Sequence, residues 1–573
     1  MRTKRIYLGF ILFLLAIVIY LLAVVSQDRG IALGNVVMDE NNIPDAWNTI
    51  IANETNSNTI KLMVDGVETN IDNHIYMDND MNIMLPVKKF SSIFKCAINS
   101  INDEKIEFQR GNNIVEVYKE NAVIVVNGAS LTLEAGLKIV GNQYFINTKV
   151  LEMGFNYDYK WDSQQNILML SDTMKDESII PTKYSYREVG RLPDIKNQGT
   201  FGTCWAFASL TAVESSLMPM EKVDFSEDNM ALNNGYFSSQ NDGGDYTRAI
   251  AYLTSWKGPV LEEDDIYGDG EINYNAKTMK HVQEVQIIDS KNIEAIKKAV
   301  FLYGGVESSL YTSMNQAGES SMFYNPETAS YCYIGINRPN HDVVIVGWDD
   351  KYPKSNFNVE LEADGAFICM NSWGTEFGDD GLFYVSYYDS NIGIHNAVYT
   401  RVEDTNNYDN IYQSDLCGWI GQLGYDEDTA YFSNVYTAKE DEMIKAVGFY
   451  ATGKNTSYEI YYLDEFEGVE SFSKKRYIQS GMLANKGFYT IDLEDEFQVK
   501  SGEKFAVIVK LTTPDTVHPV AIEYRAGTST SSVVLDDGEG YISLFGKSWE
   551  HVEESKACNL CLKVYSTNMA KEG

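Results

Sequence analysis

Residues 195–207 read IKNQGTFGTCWAF, and the reading of the whole chain starts from them. Gly199 and Gly202 interrupt the backbone just before Cys204. Beyond it, Phe207, Leu210, Val213 and Leu217 recur at helical spacing. Cys204 is therefore expected at the first turn of a helix, where the dipole and the free amides favour a thiolate. An isolated cysteine in such company is ordinary core packing. A nucleophilic one needs a base, and the base needs an orienting partner.

Both occur downstream. RPNHDVVIVGWDD (residues 338–350) puts His341 at the start of a buried strand over residues 343–346. AFICMNSWGTEFGDDGLFYVSY (residues 366–387) puts Asn371 at the end of another, with Trp373 and Gly374 following. Gln198, six residues before Cys204, offers a side-chain amide to a developing oxyanion. The order is Gln, Cys, His, Asn, with His341 placed 137 residues after Cys204.

These stretches, together with FSEDNM (225–230) and NDGGDY (241–246), make residues 184–402 similar to the papain family of cysteine peptidases. The resemblance implies an α+β domain with a helical half carrying Cys204 and a β-barrel half carrying His341 and Asn371, the cleft between them. It implies Cys204 as nucleophile, His341 as general base and acid, Asn371 as the group orienting the imidazole, and Gln198 with the Cys204 amide as oxyanion hole. Trp373 would shield the His341–Asn371 contact, Gly243 and Gly244 would line the groove that takes substrate backbone, and Trp205 would stand beside it. Family members carry a disulfide whose two positions are nearest Phe201 and Asn241 here, so both halves of the bridge are missing together. Thr203 and Phe377 also depart from the family, and neither is expected to touch the chemistry. No long helical inhibitory propeptide of the family type precedes the domain in this sequence.

The surroundings suggest a multidomain exported protein. Its 573 residues call for three or four domains. A net charge of −36, from 82 acidic and 46 basic residues, repels phosphate backbones and argues against nucleic acid as a partner. Arg2, Lys4 and Arg5 precede YLGFILFLLAIVIYLLAVV (residues 7–25), nineteen residues without charge or proline and about long enough to cross a bilayer. Residues 1–26 are read as a cytoplasmic basic cluster and a single membrane-crossing anchor, with everything after Ser26 outside. A cleaved signal peptide ending at Ser26 is the competing reading. Export follows from both.

Residues 27–57 form a polar spacer and 58–172 a strand-rich domain with a faint duplication, VDGVETNIDNHIYMDND (64–80) recurring in outline as VNGASLTLEAGLKIVGN (126–142). This segment resembles the α+β stalk-type N-terminal domain of copper amine oxidases, without copper chemistry, since His74 is its one histidine. Residues 173–187 read as a linker, and EDTNNYDN (403–410) as another. Residues 411–567 alternate apolar and polar positions between turns, the pattern of an antiparallel β-sandwich. They resemble the lectin-like domain that follows papain-type peptidases in clostridial surface proteins. That implies contact with cell-wall glycan and a structural Ca²⁺ in that domain.

No metal or other cofactor is expected at the active site. The acidic runs at 77–82, 425–430 and 535–540 lack EF-hand spacing and read as solvated turns. Cys558 and Cys561 alternate as strand residues rather than as a metal pair, and seven cysteines leave at least one unbridged. His281, His395, His518 and His551 read as structural or surface residues. The favoured function is a cell-surface cysteine endopeptidase acting on surface or extracellular proteins. Its rivals are an inactive papain-fold adhesin or scaffold, and a cysteine peptidase acting on cell-wall peptides.

Overall fold

The computed structural model describes residues 60–569, except for short stretches of the N-terminal domain, residues 173–180, and positions 220 and 238. The expected anchor at 7–25 and the spacer after it lie outside the described residues. Among the described residues, no helix is long and apolar enough to cross a membrane.

The N-terminal domain repeats one order of elements twice. Strands Lys61–Val64, Val67–Thr69, Tyr76–Met77 and Ile83–Pro86 lead into helix Val87–Phe94 and a three-stranded meander, Ala97–Ile101, Lys105–Arg110 and Asn113–Tyr118. Strands Val123–Val126, Ala129–Thr132, Leu137–Val140 and Gln143–Asn147 then lead into helix Lys149–Phe155 and a hairpin. The copies interlock: Lys61–Val64 runs parallel to Ile167–Asp172, and Gln143–Asn147 pairs with Ile83–Pro86. Alternate residues of Asn113–Tyr118 face inward, burying Val115 and Val117 against Phe90 and Phe108.

In the middle domain two of the longer helices begin where a short polar side chain replaces a missing intrahelical partner. Asp245 accepts from the Thr247 N–H (2.9 Å) ahead of Tyr246–Thr254. Asn292 accepts from Ala295 (3.1 Å) ahead of Ile293–Leu302. Helix Cys204–Leu217 is buried along nearly its whole length and ends at Met218, before Pro219. It packs on strands His341–Asp349, Val306–Leu310 and Asn396–Asp404 of the barrel half.

The C-terminal domain is a β-sandwich. One face is a six-stranded sheet centred on Thr429–Thr437, Lys504–Thr512 and Thr456–Leu463. The other contains Glu442–Ala451, Lys486–Val499 and Leu562–Asn568, with Phe432, Phe449, Phe505, Val507 and Val564 filling the space between. Cys558 lies in strand Cys558–Leu560 and Cys561 directly after it, both buried.

The two large domains share backbone pairing. Lys280–Ile287 of the middle domain pairs antiparallel with Lys486–Val499 of the sandwich, so that one sheet of 13 strands runs through both among the described residues. Gly487 permits the approach, since a Cβ there would stand 2.1 Å from the Val285 carbonyl oxygen. Side chains brace the seam: Thr490 Oγ1 donates to Gln283 Oε1 (2.7 Å) and Asn485 to Gln286 (2.9 Å). Glu403 and Asp404, expected in a linker, instead end strand Asn396–Asp404, paired with His281 and Lys280.

Candidate active site

Cys204 is the first residue of its helix and half-buried, whereas the other six cysteines are buried, and all seven are unbridged. The backbone N–H groups of Asp342 and Trp205 donate toward its sulfur. The first of these belongs to the residue after His341, so strand His341–Asp349 delivers the imidazole beside the helix N-terminus. His341 Nε2 bonds Asn371 Oδ1 at 2.8 Å. The same Oδ1 accepts the Ser372 N–H (2.8 Å), which fixes that atom as the oxygen and hence Nε2 as the donor. Nδ1 is thereby left as the basic nitrogen. Asn371 follows strand Ala366–Met370 and is held by its own N–H to the Gly381 carbonyl (3.1 Å).

Trp373 covers this contact, its ring 4.9 Å from that of His341, and Phe377 packs edge-on against Trp373 at 4.9 Å. Phe377 therefore does support the site, through the indole it holds in place. Gln198 is buried and clamped: its Oε1 accepts from Ser372 Oγ (2.6 Å), its N–H from the backbone donates to Ser372 O (2.8 Å), and one amide hydrogen goes to Phe201 O (2.8 Å). Its second amide hydrogen is free for a substrate oxygen. Gly244 lies directly on Trp205, where a Cβ would come within 2.4 Å of the indole. Trp205 itself is buried, so it carries the glycine edge from beneath. Gly243 has a positive φ of 68° and open space where a Cβ would be.

Burial pushes the Cys204 thiol up to about 12 and drives the His341 imidazole down to about 4, against the opposing pull of Asn371. Each group taken singly prefers its neutral form. A thiolate and an imidazolium formed together recover much of that penalty through their mutual attraction in a low-dielectric cleft.

The sequence gives no hint of Tyr267. Its hydroxyl donates to Gln198 O (2.8 Å) and lies 2.6 Å from Thr203 Oγ1, while its ring packs on Phe207 at 4.9 Å. Thr203 consequently matters to the site as well. The absent disulfide would have tied this same loop: a Cβ on Gly202 would lie 3.3 Å from the Asn241 carbonyl oxygen. Tyr267 holds the same loop from a different segment, through Gln198 and Thr203. Tyr267→Phe is expected to lose about 1–2 kcal/mol of stability, with a fall in kcat exceeding any change in KM. Thermal unfolding and steady-state kinetics on one peptide measure both.

Of the other histidines, His281 stacks flat on Trp256 at 3.7 Å, and His518 and His551 lie in the sandwich domain. Among the described residues, no group of three or more His, Cys, Asp or Glu is disposed to hold a metal ion. In the sandwich domain Trp549 stacks on Phe472 at 4.2 Å and Trp419 lies against Tyr450, whereas Tyr477 and Phe545 are exposed.

Residues 180–402 match the family described as papain family cysteine protease. They form a papain-family peptidase domain. Residues 411–566 match the lectin-like domain and 63–170 the copper amine oxidase N-terminal domain. The papain-like domain is similar to cathepsin S of Bos taurus, 28% identical over 209 residues, which are 35% of this chain and 59% of that protein. It is also similar to pro-cathepsin H of Mus musculus, 26% identical over 245 residues, 40% of this chain and 67% of that protein. The chain thus spans about half to two-thirds of the length of the curated relatives it matches. Among solved structures, the clostridial cysteine protease Cwp84 after propeptide cleavage aligns with a TM-score of 0.60 at 26% identity, over 68% of this chain and 99% of that one. The cysteine protease and lectin-like domains of Cwp84, a surface layer associated protein of Clostridium difficile, align with a TM-score of 0.59 at 25% identity, over 69% and 90%. The pairing of papain-like and lectin-like domains is therefore common to both proteins.

Proposed function

We propose that this chain is a cysteine endopeptidase that hydrolyses surface or extracellular proteins outside the cell. The observation that carries the reading is the His341 Nε2–Asn371 Oδ1 bond under Trp373, which leaves Nδ1 for Cys204. Nδ1 takes the thiol proton as Sγ attacks the scissile carbonyl carbon. The oxyanion formed accepts from the free Gln198 amide hydrogen and the Cys204 N–H. The C–N bond then breaks as His341 returns its proton to the leaving amine. Water, deprotonated by His341, hydrolyses the thioester and restores the thiol.

Location outside the cell is supported by the apolar segment at 7–25, read as anchor or leader, and by the likeness to a surface layer associated protein. The lectin-like domain would hold the enzyme against cell-wall glycan, with Tyr477 and Phe545 as exposed rings for sugars, and a structural Ca²⁺ is proposed for that domain. A membrane-impermeant alkylating reagent tests activity and location together. On intact cells making the full chain, it should modify Cys204 and abolish peptide hydrolysis. Modification only after lysis would overturn the location. No modification in either case would favour an inactive papain-fold scaffold, and purified wall peptides cleaved in preference to proteins would shift the substrate class.

A further inference from the structure

The loop that leads to the glycine edge is held by the sandwich domain. Gly235 O accepts from Ser532 Oγ (2.6 Å) and from Cys417 Sγ (3.3 Å), and the Phe237 N–H donates to Ser529 O (2.8 Å). Between them, Tyr236 OH donates to Cys417 O at 2.7 Å. Three successive residues of the middle domain are thus bonded to two separate segments of the sandwich. Only glycine suits position 235, where φ is 92° and a Cβ would stand 2.9 Å from the Leu416 carbonyl oxygen.

The same tyrosine carries the contact inward. The Arg248 guanidinium lies over its ring, 4.9 Å from the centroid, and Arg248 Nη1 donates to Gly243 O at 2.8 Å. Arg248 is the third residue of helix Tyr246–Thr254, which fixes where its stem begins. Gly243 is a residue that needs such a hold. Its φ is positive and space is open where a Cβ would be, so no side chain of its own restrains the peptide that joins it to Gly244. That peptide is trans and planar, so the Gly243 C=O and the Gly244 N–H point in opposite directions within one plane. A hold on the first aims the second.

We propose that Tyr236 and Arg248 are positioning residues through which the sandwich domain orients the Gly243–Gly244 edge for substrate backbone. The inference rests on the peptidase reading of Cys204, His341 and Asn371, and gives the sandwich a part in peptide binding. Each link is one contact: sandwich carbonyl to phenol, phenol ring to guanidinium, guanidinium to glycine carbonyl. With the phenol unanchored, the guanidinium loses its platform and the glycine peptide samples other orientations. Part of the binding energy of an extended substrate then goes to restoring the right one. No reacting atom belongs to these contacts, so the cost falls on binding rather than on turnover.

Steady-state kinetics on a fluorogenic peptide that extends several residues upstream of the cleaved bond test it. Tyr236→Phe keeps the ring under Arg248 and removes only the bond to Cys417 O. Its KM should rise about three- to tenfold, with kcat within about twofold of wild type. Arg248→Met should raise KM by at least about tenfold, and Arg248→Lys, which keeps a donor, should recover part of the loss. Because Tyr236 acts through Arg248, adding Tyr236→Phe to Arg248→Met should change KM by less than about twofold. Alkylation of Cys204 by iodoacetamide, which needs no peptide-binding edge, should keep its wild-type rate in every variant and counts the folded sites. Tyr236→Phe loses a single hydroxyl, so its KM decides the matter even if Arg248→Met fails to fold. An unchanged KM in Tyr236→Phe overturns this inference alone, as does a fall confined to kcat or additivity in the double variant. A wild-type enzyme that cleaves no peptide overturns the peptidase reading and this inference with it.

Discussion

Cys204→Ala is expected to lower kcat/KM for any cleaved peptide by roughly 10⁴-fold or more, and His341→Ala by a similar factor. The two should not add. Once the sulfur is gone, the imidazole has no proton to accept, and once the imidazole is gone, the half-buried thiol, whose pKa burial raises, has no route to its anion. The double variant should thus be about as slow as either single one, with the remaining rate owed to the oxyanion donors. Peptide binding should survive in Cys204→Ala, because the Gly243–Gly244 edge rests on Trp205 rather than on the thiol. A Kd measured for the uncleaved peptide checks this. A Cys204→Ala variant with undiminished turnover would sink the proposed mechanism.

Lys196→Met should be the most destabilising single change near the site. Lys196 Nζ lies 2.8 Å from Glu214 Oε1, 2.8 Å from Glu227 Oε1 and 2.6 Å from Asp224 Oδ1. Glu214 and Glu227 are buried, so one cation serves two enclosed carboxylates. Removing it leaves both unpaired, at a cost of about 3–5 kcal/mol. Burial already pushes both carboxyls above their usual range, even with the lysine present. Groups whose folded pKa is raised stabilise the fold below their unfolded pKa, near 4, and lose that contribution as pH rises through the folded value. The loss in Lys196→Met should accordingly be larger at pH 8 than at pH 5. Urea unfolding at the two pH values reads it directly, and equal losses would show that the carboxylates are not its cause. Because Lys196 is two residues from Gln198, turnover should fall as well.

The residues proposed for catalysis are legible because chemistry restricts them: a thiol at a helix start, a histidine opening a buried strand, and an amide closing another. Tyr267 is not legible. It sits in EDDIYGDGEINY, a polar loop with nothing local to mark it, and its partners are 64 and 69 residues away. The acidic surroundings of Cys204 are half-legible: Asp342 is visibly next to His341, but only pairing in the sheet brings Ser309 and the strand of Glu307 to it. The run at 403–410 reads as a linker because its composition is polar, yet Glu403 bonds Arg401 and Asn407, which gives those polar side chains partners inside the fold. The 13-stranded sheet is beyond sequence reading, since the two strands at its seam are about 200 residues apart and neither carries a mark of its partner.

That seam decides how a pull on one domain reaches the other. Glu284, Val285, Gln286 and Ile287 face Tyr489, Phe488, Gly487 and Lys486 across it. A tug along those strands loads every rung together, whereas a tug across them would unzip the ladder one rung at a time. A sandwich tethered to a wall under tension would therefore carry the cleft with it as a rigid tool head, its angle to the tether set by the weave of the sheet.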